Sequence, residues 1–132
     1  MARSPRIRID AASGVPAVRQ IANSLRILFV EGRLVPGATL PSVRRVAMEL
    51  GVHFNTVAEA YRQLADEGWL KLRHGRGAVV VPRVVPAVEN GAWAEEFRNR
   101  LRGMAAQMRA DGISPGSIAA ELRAMAKVVT RS

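Results

Sequence analysis

Apolar residues recur at Val18, Ile21, Leu25 and Leu28, the spacing of one helix face, and this predicts a first helix from Pro16 to Glu31. Pro16 suits a first turn and Gly32 the position just past a helix end. Before it stands a short alternating segment, Ile7, Arg8 and Ile9; after it comes a Pro36-Gly37 turn. Ser42 is a good N-cap for a short second helix with Val43, Val46, Ala47 and Leu50 as its apolar positions, stopped by Gly51. A third helix carrying Val57, Ala60, Tyr61 and Leu64 follows almost at once and runs to about Glu67, with Gly68 as its stop. Two helices joined by so short a glycine-containing turn predict a helix-turn-helix. The small Ala47 allows the helices to cross closely, and Gly51 allows the chain to reverse.

Two short apolar segments, residues 69–72 and 78–81, flank Arg73, His74, Gly75, Arg76 and Gly77, and this pattern predicts a hairpin with a glycine-rich tip, a wing. The stretch 83–89, with Pro86 inside it and Pro82 just before, reads as a linker. Beyond it, Asn90 is placed to cap a helix striped by Trp93, Phe97, Leu101, Met104 and Met108 and ended by Gly112. Ser114 and Pro115 then open a last helix striped by Ile118, Leu122, Met125 and Val129. The expected architecture is α+β: a winged helix-turn-helix domain over residues 1–82, a linker, and a helical hairpin over 90–132.

Charge turns this outline towards a partner. The 132 residues hold 20 Lys+Arg against 11 Asp+Glu, a formal +9, and only Lys71 and Lys127 of the basic residues are lysines. A polyanion is implied, and the planar guanidinium fork suits phosphate oxygens and guanine edges. Cysteine is absent, which excludes a disulfide framework and thiolate metal sites. The basic start lacks the apolar stretch of a signal peptide and no apolar run is long enough to span a bilayer, so a cytoplasmic chain with no membrane partner is expected.

In a helix-turn-helix on DNA the third helix enters the major groove and the second crosses the backbone. The face of the third helix opposite its apolar stripe bears Phe54, Asn55, Ala58 and Arg62. Asn55 has the donor and acceptor to read adenine bidentately, or else serves as a cap. Thr56 bonds a phosphate or steadies the helix start. Phe54 lies off the apolar stripe, so either a thymine methyl covers it or it packs back on the first helix or the wing. Arg44 and Arg45, in the first turn of the second helix, are placed for phosphates. At the wing, His74, Gly75 and Arg76 can approach a minor groove, and two glycines let the backbone come close. His53 and His74 have no second ligand at helical spacing, so neither metal nor cofactor is expected, and no acid, base and nucleophile fall together as in an enzyme.

The phrases LPSxR (40–44), LGVxxNTV (50–57), AYRQLxxEGW (60–69) and HGRG (74–77) together resemble the winged helix-turn-helix of the GntR family of bacterial regulators over residues 15–82. The NTVxxAYRxL phrase and the short two-helix end are similar to its YtrA subfamily, which lacks large effector domains. The resemblance implies a dimeric repressor on an inverted-repeat operator, with Arg44, Asn55, Thr56, His74, Gly75 and Arg76 touching DNA. Phe54 stands where many relatives carry Arg or Pro, Ala58 where some branches place a base-reading Arg, and His53 where Ser or Thr commonly caps the helix.

The two C-terminal stripes cannot both be buried within one hairpin, so a homodimer through Trp93, Phe97, Leu101, Met104, Leu122 and Met125 is expected, the alternative being that the hairpin folds back on its own winged domain. Whether a small-molecule effector controls the chain is left open by the sequence; any effector would have to bind between subunits or beside the linker. The rival function is a sequence-independent, nucleoid-type nucleic-acid binder, which has no need of a base-reading Asn55.

Overall fold

The computed structural model describes residues 7–74, 76–86, 88 and 90–130. They form two compact units that divide between Arg83 and Val84. In the first unit the order is α1 (Ala17–Val30), β1 (Thr39–Leu40), α2 (Val43–Leu50), α3 (Phe54–Asp66), β2 (Leu70–Arg73) and β3 (Gly77–Val80). The second holds α4 (Ala92–Ala110) and α5 (Pro115–Thr130).

The helix ends follow the local chemistry read from the sequence. Ser42 Oγ accepts from the Arg45 amide at 3.3 Å and so opens α2, which closes at Gly51 in the left-handed region (φ +69°). The turn is short enough that α3 begins three residues later. Ile21, Leu25, Val57, Ala60 and Leu64 are fully buried, and Val46 and Ala47 of α2 join them. Each large apolar side chain so buried stabilises the fold by roughly 1.5–3 kcal/mol. The small Ala47 is thus buried on the inner side of α2.

Ile7 also enters this core, but the alternation at residues 7–9 forms no strand. Gln20 fastens that segment to α1 instead: its Oε1 accepts from the Asp10 amide at 2.8 Å, and its Nε2 donates to the Val15 carbonyl at 2.8 Å.

The hairpin is part of a three-stranded antiparallel sheet in the order β1-β3-β2, with Leu40 opposite Ala78 and Leu72 also opposite Ala78. The third strand was not expected from the sequence. Gly77 explains how it fits: at φ +81° a Cβ there would overlap the carbonyl oxygen of Leu40 and come within 2.8 Å of the Pro41 carbonyl carbon. The sequence reading gave Gly77 to the approach of DNA; the backbone of residues 40–41 occupies that space. Tyr61, buried in α3, donates its hydroxyl to the Pro41 carbonyl at 2.9 Å and ties the same segment to the core.

A second tie closes the far side of the unit. Arg26 of α1 grips both carboxylate oxygens of Glu67, with Nε to Oε1 at 2.8 Å. Trp69 Nε1 donates to the same carboxylate at 3.2 Å and stacks on Phe29 with centroids 5.0 Å apart. Arg83 Nε donates to the Glu67 carbonyl at 2.7 Å, and its guanidinium lies 4.5 Å over the Trp69 ring. Arg83, read from sequence as the first linker residue, is therefore held by the first unit.

The hydrogen bond from Arg26 holds the Glu67 carboxyl below the ordinary carboxylate range, against the opposing effect of partial burial. A depressed folded value means that this stabilisation is complete above the unfolded carboxylate value of about 4.3 and is lost as pH falls through the folded one. Urea midpoints measured between pH 7 and pH 3 should therefore fall less steeply for Glu67→Gln than for the parent chain; parallel curves would remove Glu67 from the acid response.

In the second unit Asn90 Oδ1 accepts from the Ala92 amide at 3.2 Å, but the residue at the cap position of α4 is Gly91, one further on. Ser114 Oγ caps α5 from the Ser117 amide at 3.1 Å. No described residue of α4 or α5 is buried.

Candidate nucleic-acid interface

On the side of α3 away from the core, α2, α3 and the wing enclose an open groove of about 610 Å³. Its walls are Ser42, Val43 and Arg44 from α2, Phe54, Ala58, Tyr61 and Arg62 from α3, and Leu72, Arg73, His74 and Gly77 from the wing. The periodicity of α3 creates this side: with Val57, Ala60, Tyr61 and Leu64 buried, Phe54, Asn55 and Arg62 must point outward.

Of the expected site residues, Arg44, Phe54, Arg62 and His74 line the groove. Asn55 is exposed at the first turn of α3, and Thr56 beside it is half-buried. The cap of α3 is His53, whose Nδ1 accepts from the Asn55 amide at 3.1 Å. With that work done by His53, the Asn55 side chain makes no hydrogen bond to any described residue. Arg45 is exposed and forms an i,i+4 pair with Glu49 at 3.2 Å. Arg76 is exposed at the wing tip, and Gly75 lies outside the described residues.

Phe54 is exposed at the start of α3. Its ring stacks on His53, centroids 4.7 Å apart, and the Arg44 guanidinium stands 5.3 Å from its centroid. The sequence reading missed Leu72 and Arg73. Their position in a strand leading to a basic, glycine-rich tip was the available clue, since the last strand residues of a wing share its outlook.

The electrostatics favour an anion. Among the described residues Arg44, Arg62, Arg73 and Arg76 have no carboxylate within salt-bridge distance, whereas Arg26, Arg33, Arg45 and Arg100 do. Unpaired guanidinium groups converging from three elements are what a phosphate backbone neutralises. No group of three or more His, Cys, Asp or Glu among the described residues could hold a metal ion.

Comparison with known proteins agrees with this geometry. The family described as "Bacterial regulatory proteins, gntR family" matches residues 17–80. The chain is 38% identical over 74 residues to the HTH-type transcriptional repressor YtrA of Bacillus subtilis, a match covering 56% of this chain and 57% of that protein. The chain therefore spans little more than half of that relative's length. To the HTH-type transcriptional regulator Rv1152 of Mycobacterium tuberculosis it is 38% identical over 99 residues, 74% of this chain and 81% of the other. Among solved structures, YtrA from Sulfolobus acidocaldarius, a GntR-family transcription factor, superposes with a TM-score of 0.55 at 36% identity, covering 79% of this chain and 97% of that one. A winged helix-turn-helix with an outward basic groove, followed by two helices and matched in this way, leads to one assignment: the chain belongs to the GntR family of DNA-binding transcription regulators, in its YtrA branch.

Proposed function

We propose that this chain is a dimeric repressor that binds an inverted-repeat operator through the groove between α2, α3 and the wing. The observation that carries the reading is the convergence there of unpaired Arg44, Arg62 and Arg73 beside an Asn55 whose amide is free to read a base. In this reading Arg44 and Arg45 contact phosphates, His53, Phe54, Asn55, Thr56 and Arg62 face the major groove, and His74, Gly75 and Arg76 meet the duplex at the wing. Repression is supported by the Bacillus relative, which is named a repressor. The first unit reads DNA and the second dimerises.

The dimer rests on α4 and α5. A helix pair without one buried residue lacks the core that a free-standing unit needs, and Trp93, Phe97, Met104, Leu122 and Met125 are exposed while Leu101 is half-buried. An apolar groove of about 530 Å³ runs between the two helices, with Leu101, Met104, Met108, Leu122 and Met125 in its walls. A second copy fills it. Two recognition helices held about one turn of DNA apart, ~34 Å, then match a near-palindrome. Any small-molecule effector would have to bind between subunits or beside the linker. The chain works in the cytoplasm, where its DNA is; no helix among the described residues is long and apolar enough to cross a membrane.

Selection of bound sequences from a random duplex pool tests the reading, followed by two variants on the selected operator. Asn55→Ala should cost ~1–3 kcal/mol at one base position and leave the others unchanged. Arg44→Ala should weaken all duplexes alike and lower the slope of log K against log salt by about one. Equal loss on all sequences for Asn55→Ala would overturn its role. A pool that yields no preferred sequence, with random DNA competing at equal potency, would favour a nucleoid-type binder.

A further inference from the structure

An exposed phenylalanine amid arginines is the feature of the groove that charge does not explain. Phe54 is 42% exposed, a cost in water unless a partner covers it. His53 stacks against the ring with an interplanar angle of 27°, so the ring is held on one side while much of it stays open to solvent. The groove wall continues as an apolar strip: Ala58 lies one turn further along α3, and Leu72, 45% exposed, lies on the wing.

In the major groove of DNA the base edges present donors, acceptors and a single apolar group, the methyl on C5 of thymine. Phosphate and sugar offer Phe54 no comparable partner. We infer that Phe54 is a specificity-determining residue that reads a 5-methylpyrimidine in the major groove, thymine or 5-methylcytosine, with the stacked His53 holding its ring in the reading position. This rests on the proposed operator binding and adds the chemical group that the start of α3 selects. Because the ring is already fixed in the free chain, little rotamer freedom is lost on contact, and the full worth of the methyl reaches the affinity.

The test replaces each thymine of the selected operator in turn by deoxyuridine, which deletes the methyl and keeps the base pair. The full-length chain should bind about fourfold more weakly at one position per half-site, the worth of one buried methyl-sized group. At that position cytosine should bind more weakly still, and 5-methylcytosine should regain the methyl's share. Phe54→Ala should bind the thymine and deoxyuridine operators equally, whereas Phe54→Leu, which keeps an apolar surface, should retain part of the difference. Melting temperatures of both variants equal to the parent's would exclude misfolding as the cause. A flat deoxyuridine scan with the parent chain, or an undiminished methyl effect in Phe54→Ala, would overturn the inference while operator preference stands. Loss of all preference for the selected operator over random duplex in the parent chain would instead overturn the proposed function.

Discussion

Replacing Gly77 by alanine is expected to lower the melting temperature of the first unit by more than ~10 °C, equivalent to ~3 kcal/mol or more. Two costs add. A φ of +81° is unfavourable for any residue with a Cβ, and the new methyl would be driven into the backbone of Leu40 and Pro41. Backbone is the worst obstacle, since no rotamer change relieves it. Relief by moving β1 would pull the Pro41 carbonyl from the Tyr61 hydroxyl and displace Ser42, the cap of α2, together with Arg44. Operator affinity should therefore fall along with stability. Gly14→Ala is the control, because a Cβ there meets nothing within 4 Å; it should stay within about 0.5 kcal/mol of the parent. Equal melting of Gly77→Ala and parent would show that the sheet yields easily at this point.

Leu122→Asp should produce a monomer that binds the inverted repeat ~100- to 10,000-fold more weakly while keeping its affinity for an isolated half-site. The side chain is 49% exposed in the single chain, so a carboxylate is tolerated there; in a dimer interface it would be buried without a partner. Loss of the second binding unit removes the effective concentration that links two half-sites, and the expected range is that of bivalent gain. Sedimentation gives the first readout and titration of whole and half operators the second. A dimer that survives Leu122→Asp with unchanged operator binding would move the interface away from the α4–α5 groove.

The helices were legible in the sequence because their determinants are local. Ser42, Gly51, Gly68, Ser114 and Gly112 punctuate the chain where their side chains or backbone freedom are needed, and the stripe Val57, Ala60, Tyr61, Leu64 is the buried face of α3. Phe54 and Arg62 line the groove for the same reason, as they sit at fixed offsets from that stripe, and Arg44 and His74 join them from α2 and the wing. What escaped depends on distant neighbours. A strand of only Thr39 and Leu40 has no periodicity to read and exists by pairing with β3. Gly77 looks like a flexible tip until Leu40 and Pro41 are placed beside it. The grip of Arg26 on Glu67 joins residues 41 apart, and the identity of the cap of α3 turned on which of two neighbouring side chains, His53 or Asn55, faced the amides.

A pair of helices that encloses nothing of its own couples shape to abundance. In the proposed dimer, acquiring a core and acquiring a companion would be the same event for the second unit, so a scarce chain would keep α4 and α5 open to proteases while a plentiful one would shelter them. The gene's output would then be buffered at its lower end: chains below the pairing threshold are cleared, and control of the target switches on over a narrow range of supply.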